Sequence, residues 1–139
     1  MAETTRTLPD GRVELRFERR LPHPREKVWR ALTEVDRLRR WFVDILDYDR
    51  SRLAFASGAT LTFAANGFPE SHGEVTAYQP LALLEYTWGA EVLRFELTDD
   101  LDGAGCVLVF TNIVDGPETT DAVTSGWAAG LNRLADALD

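Results

Sequence analysis

The chain has 139 residues, 45% of them hydrophobic and 27% charged, enough for one domain with a core of its own. Its net charge of -8 disfavours a phosphate backbone or an anionic membrane surface as partner. One cysteine, Cys106, excludes an internal disulfide, and its place in the apolar run CVLVF makes it a small buried hydrophobe rather than a reactive thiol.

Residues 1–10 read as a loose polar arm, and MAETTRTLPDGR has no apolar signal core. No stretch approaches 18 apolar residues, so a cytoplasmic protein without membrane insertion is expected. RVELRFERRL then alternates, with Val13, Leu15 and Phe17 on one side and Glu14, Arg16 and Glu18 on the other, the period of a strand with one wet face. Pro24 suits the first turn of a helix, where its missing N–H costs nothing. Val28, Ala31, Leu32 and Val35 follow at helical spacing. A second short helix restarts after Asp36, a suitable cap, and buries Leu38, Trp41 and Phe42.

Beyond VDILDYDRS the texture turns to strands. ATLTFAAN, HGEVTAYQP, LALLEYTWG and VLRFELTDD are punctuated by Pro80 and Gly89 and enriched in threonine. DDLDGAG is a turn, and CVLVFTNIV, apolar on both faces, is expected to be a central strand. Val123, Trp127, Leu131, Leu134 and Leu138 mark a terminal helix about five turns long. Gly126 and Gly130 fall inside it on one flank with Ala137, each glycine costing about 1 kcal/mol against alanine. They fit either close packing of the helix on a sheet or space left for something else.

An antiparallel sheet of that length must cover its apolar face, and only the terminal helix is long enough to do so. The short helices then close one end. The expected fold class is α+β: a curved antiparallel sheet of six or seven strands around a long C-terminal helix, in one domain spanning 1–139.

At this level the chain resembles the START-like (SRPBCC, helix-grip) superfamily and, within it, homologues of the C-terminal domain of the heat-shock protein 90 ATPase activator. The resemblance rests on HPREKVWRALT (Pro24, Arg25, Val28, Trp29, Leu32, Thr33), on Leu38, Trp41 and Phe42 in DRLRRWF, and on Gly73, Val75, Pro80, Leu84, Tyr86 and Trp88 in GEVTAYQPLALLEYTW. Gly126-Trp127, Leu131 and Leu134 complete it. These are positions of packing and turning, so they imply an architecture and, through it, a cavity between sheet and helix.

Residues that would carry chemistry are sparse. His23 and His72 have no companion at metal-ligand spacing and read as solvated turn residues. Asp44, Asp47 and Asp49 lack the glycine turn and distal glutamate of a calcium loop. No nucleophile elbow, CxxC pair or phosphate loop occurs. Neither metal nor cofactor is expected.

The aromatic content points instead to an apolar binding cavity. The candidate ligand-binding residues are Phe63, Tyr86, Trp88 and Phe95 from strands and Trp127, Gly130, Leu131 and Leu134 from the last helix. Tyr86, Arg94, Thr111 and Asn112 are candidate polar groups, and a register error of one residue would reverse each. The expected function is cofactor-free binding of a small apolar or aromatic ligand. A protein-interaction module with a chaperone partner is one alternative, and an enzyme of cyclase or hydratase type in the same cavity is another. Nucleic acid is not expected as a partner.

Overall fold

The computed structural model describes residues 2–43, 45–65, 67–100, 103, 105–116 and 120–138. Seven strands and three helices follow one another in the chain: β1 (Ala2–Thr7), β2 (Val13–Leu21), α1 (Arg25–Thr33), α2 (Val35–Trp41), β3 (Thr60–Phe63), β4 (Ser71–Gln79), β5 (Leu83–Trp88), β6 (Glu91–Asp99), β7 (Cys106–Val114) and α3 (Thr120–Leu138). The strands form one antiparallel sheet in the order β1-β2-β7-β6-β5-β4-β3. Strand β2 therefore pairs with the last strand rather than with its successor, Phe17 facing Phe110 and Leu15 facing Asn112. The helices α1 and α2 occupy the long connection between β2 and β3, and α3 lies across the apolar face of the sheet.

Alternation fixes that face. Val13, Leu15 and Phe17 of β2, Leu93, Phe95 and Leu97 of β6, and Leu84 and Tyr86 of β5 are buried and point the same way. Phe17, Phe110, Phe95 and Tyr86 stack in sequence across four strands, with centroids 5.9, 4.7 and 6.2 Å apart. The buried stripe of α3, formed by Leu131, Leu134 and Leu138, joins the same core, and Trp127 of that helix meets Phe110 of the row at 4.6 Å. Strand β7 is interior, as its composition implies, and Cys106 is fully buried at its start.

The two short helices are locked by Trp41, whose indole Nε1 donates to Ala31 O at 2.8 Å and whose rings meet Phe42 and Phe95 edge-on. Pro24 is the N-cap of α1, one position before the helical turn expected of it. Glu34, not Asp36, caps α2, and Asp36 lies in its first turn. Arg25 staples α1 to the sheet, donating to Asp99 Oδ1 at 2.9 Å and to Leu81 O at 3.1 Å. Lys27 donates to Leu138 O, tying α1 to the C-terminal end of α3, where a cation is favoured. Gly73 is fixed by close approach: a Cβ there would lie 1.8 Å from Thr87 O.

The expected loose arm is a strand instead. Residues 2–7 pair with β2 along their length, and Arg6 meets Glu14 at 3.0 Å. The hairpin closes through Pro9, Asp10 and Gly11: Leu8 N donates to Arg12 O at 2.7 Å, and Gly11 adopts φ 91°. Threonine-rich AETTRT lacks the apolar alternation of a half-buried strand because it forms an exposed sheet edge.

Candidate ligand cleft

A cleft of about 640 Å³ opens between α2, the first half of α3 and the β5–β6 end of the sheet. That volume falls in the range of roughly 300–1,000 Å³ common for small-molecule sites. Its wall is aromatic. Phe42, just past α2, sits between Trp88 and Trp127, with ring centroids 6.1 and 5.8 Å away. Trp88 in turn lies flat on Phe63 at 4.1 Å and 5° between planes. The chain after Phe42 contributes Val43 and Ile45 to the mouth, and Ile45 is 56% exposed.

The opposite wall is made of small residues. Ala122, Gly126, Ala129 and Gly130 project from one side of α3 into the cleft. A Cβ on Gly126 would meet nothing within 4 Å, so close packing does not require glycine there. A Cβ on Gly130 would make ordinary contacts, 3.6 Å from Arg133 Nη2 and 3.8 Å from Trp41 O. Ala137 lies elsewhere, beside Lys27 and Arg40 in a small groove at the far end of the helix.

Three polar groups belong to this region. Asn112 is completely buried on the inner face of β7. Its amide accepts from Trp127 Nε1 at 2.9 Å and donates to Val92 O at 3.0 Å and Glu91 Oε1 at 3.3 Å. Glu91, at the start of β6, lines the cleft; burial pushes its carboxyl above the ordinary range, opposed by the Asn112 hydrogen bond and reinforced by the charge of Asp115. Arg133, on α3, lines the cleft and donates from Nε to Trp41 O at 3.2 Å.

Residues 22–139 match the model of the family described as activator of Hsp90 ATPase homolog 1-like protein. The chain belongs to that family. A search of curated proteins finds no significant match. Among solved structures, this Hsp90-activator-like chain is similar to a conserved protein of unknown function from Enterococcus faecalis, with 25% identity, a TM-score of 0.80, and 99% of this chain and 77% of that one covered. It is also similar to a protein from Mesorhizobium loti, at 25% identity and TM-score 0.76, covering 91% and 96% of the two chains. CalU16 from Micromonospora echinospora shares the fold, at 22% identity and TM-score 0.72 over 99% of this chain and 84% of its own. The helix-grip architecture expected from the sequence is the one these relatives share.

Of the eight candidate ligand-binding residues in this activator-like domain, the cleft brings together Trp88, Trp127 and Gly130. Phe63, Tyr86, Phe95, Leu131 and Leu134 are nearly fully buried and lie outside the cleft lining. Trp41 fills the space beside Phe95, and Phe55 covers Tyr86 at 5.0 Å. Burial holds the Tyr86 phenol neutral by raising its pKa strongly, and the nearby Tyr48 adds to the shift. The free space lies at one end of the sheet–helix interface, not along its whole length.

Among the polar candidates, Asn112 and Tyr86 face inward, whereas Thr111 and Arg94 face outward. Arg94 bridges Glu85 at 2.8 Å and Glu96 at 2.7 Å on the outer face. Glu91 and Arg133 were invisible to sequence reasoning because each is an ordinary charged residue at an element's exposed side. The helical spacing from Ala122 through Gly126 and Ala129 to Arg133 is the signal that groups them on one face.

The acidic loop is built for structure. Asp47 accepts from the Asp49 and Arg50 backbones and from Arg50 Nε, an arrangement that holds its carboxyl below the ordinary range, Arg50 being the main cause. Asp49 pairs with Arg39, and Asp44 lies outside the described residues. His23 approaches Lys27 Nζ at 3.3 Å, and His72 is exposed on β4. Among the described residues no group of three potential metal ligands gathers, and no helix is long and apolar enough to cross a membrane.

Proposed function

We propose that this domain binds a small, largely apolar, aromatic-rich ligand in the cleft between α2, α3 and the β5–β6 end of the sheet, without a cofactor. The observation that carries the reading is Gly126. Glycine weakens a helix interior by about 1 kcal/mol against alanine, yet here a Cβ would stand in open space on the cleft lining, so packing does not call for glycine. The residue is explained by the space it leaves in a cleft walled by the mutually tilted rings of Phe42, Trp88 and Trp127. Membership in a START-like family supports the same reading. The interaction-module alternative has less support: Ile45 and Phe68 are the exposed large hydrophobics among the described residues, and Ile45 belongs to the mouth of the cleft.

Uncharged naphthalene dyes and flavonoid-like aromatics test the proposal, with quenching of the cleft tryptophans as readout. Micromolar dissociation constants, about 8 kcal/mol of binding free energy, are expected. Gly126→Leu should weaken binding at least tenfold while the variant melts as the wild type does or higher. No uptake across a broad panel, or unchanged binding by Gly126→Leu, would refute the cleft as a ligand site.

A further inference from the structure

We infer that the ligand is an aromatic acid, whose rings lie on the Phe42–Trp88–Trp127 wall and whose carboxylate is held by Arg133. This rests on the reading of the cleft as a ligand site and adds the ligand's charge and orientation. Among the described residues, Arg133 is the cation of the cleft lining. Its Nε is spent on Trp41 O at 3.2 Å, which fixes the plane of the guanidinium. It has no carboxylate partner among the described residues, although the protein carries many more acidic than basic groups. Four other arginines of the helices and the acidic loop are paired with carboxylates: Arg25 with Asp99, Arg37 with Glu34, Arg39 with Asp49, Arg50 with Asp47.

A guanidinium with a fixed plane and free η nitrogens is matched by a planar carboxylate, which can take two parallel hydrogen bonds. The rest of the lining offers flat aromatic faces and the gap at Gly126, which a fused or extended ring system fills better than a branched aliphatic one. Glu91, the acidic group of the lining among the described residues, belongs to the sheet side and is hydrogen-bonded by Asn112. Arg133 belongs to the α2–α3 side. A ligand whose carboxylate meets Arg133 on the α2–α3 side keeps it away from the sheet side, where a hydroxyl would find an acceptor in Glu91.

Calorimetric titration with 2-naphthoate and its neutral isostere 2-naphthamide tests the assignment. The wild-type protein is expected to prefer the acid by about tenfold or more, the effect of a charge-assisted pair. In Arg133→Met that ratio should fall to near one. Independently of the variant, the Arg133 Nε–Hε resonance of the wild-type protein should shift on adding the acid and much less on adding the amide. Equal affinity for acid and amide, or a preference that survives in Arg133→Met, overturns the aromatic-acid assignment and leaves the cleft as a neutral-ligand site. If neither naphthalene binds while uncharged dyes do, the acid assignment again fails alone. If nothing aromatic binds, the cleft reading fails and this inference with it.

Discussion

Asn112 joins the sheet to the last helix by polar contact. It sits fully buried in a strand otherwise apolar on that face, and its three hydrogen bonds reach β6 and the Trp127 indole. Asn112→Ala would leave Trp127 Nε1 and Val92 O facing an apolar gap. An unsatisfied buried group costs about 1–3 kcal/mol, so a loss of about 2–3 kcal/mol is expected in urea titrations, together with a changed Trp127 environment in fluorescence. Its neighbour Glu91 carries the opposite sign of effect. A carboxyl whose pKa is raised in the folded state binds its proton more tightly there than in the unfolded chain. Its stabilising contribution is thus complete below the ordinary glutamate range and is lost as pH rises through the raised value. Glu91→Gln keeps an acceptor for Asn112 and removes the charge. It should melt higher than wild type at neutral pH, with the difference vanishing in acid; an equal gain at both pH values would mean that ionisation is not the cause. Neither residue's role could be read in the sequence. In CVLVFTNIV the inward set is fixed by register with β2 and β6, and Thr111 and Asn112 would exchange roles on a slip of one residue.

At the level of elements, strong periodicities were legible and weak ones were not. The stripe from Val123 to Leu138 placed α3 correctly; the alternation in β2, the punctuated, threonine-rich runs of β4 to β6 and the doubly apolar run of β7 placed those strands to within two residues. Strand β1 was missed although LPDGR announces its turn, because AETTRT offers no apolar face and edge strands need none. The helix α3 has two stripes, not one. The buried one holds leucines against the sheet; the other, running from Ala122 through Gly126 to Ala129, faces the cleft and is small. Gly126→Ala separates these roles. With no neighbour within 4 Å, the added methyl gains helix propensity without strain, so stability should rise by about 1 kcal/mol. A fall in the melting temperature of that variant would show that the glycine is held by packing and that the cleft wall is misplaced.

For the whole molecule, the architecture was readable because the apolar face of a long antiparallel sheet had to be covered and the terminal helix is long enough to cover it; the strand order, with β2 beside β7, comes from the structure. The cleft was not readable, because it is a gap, set by where Trp41, Phe42 and Phe55 stop filling the space between sheet and helix. Periodicity names the residues that face inward, and only the packing shows which of them touch. Five of the eight candidates are core for that reason. The gap also lies where α2, α3 and the sheet all meet, so occupying it should stabilise the fold as a unit. A ligand present at a hundred times its dissociation constant adds about 2.7 kcal/mol to the folded state. For a chain of 139 residues, an unfolding entropy of about 2.1 cal/mol/K per residue converts this to a rise in melting temperature of roughly 9 °C. Far-UV circular dichroism, following the sheet and helices, and tryptophan fluorescence, following the cleft wall, should report the same shift. Gly126→Leu, starting from a melting temperature at or above that of the wild type, should show little shift with the same ligand. A ligand that moved the fluorescence transition alone would be binding the aromatic wall in a locally opened state rather than joining the elements, and the cleft would not be part of the cooperative unit.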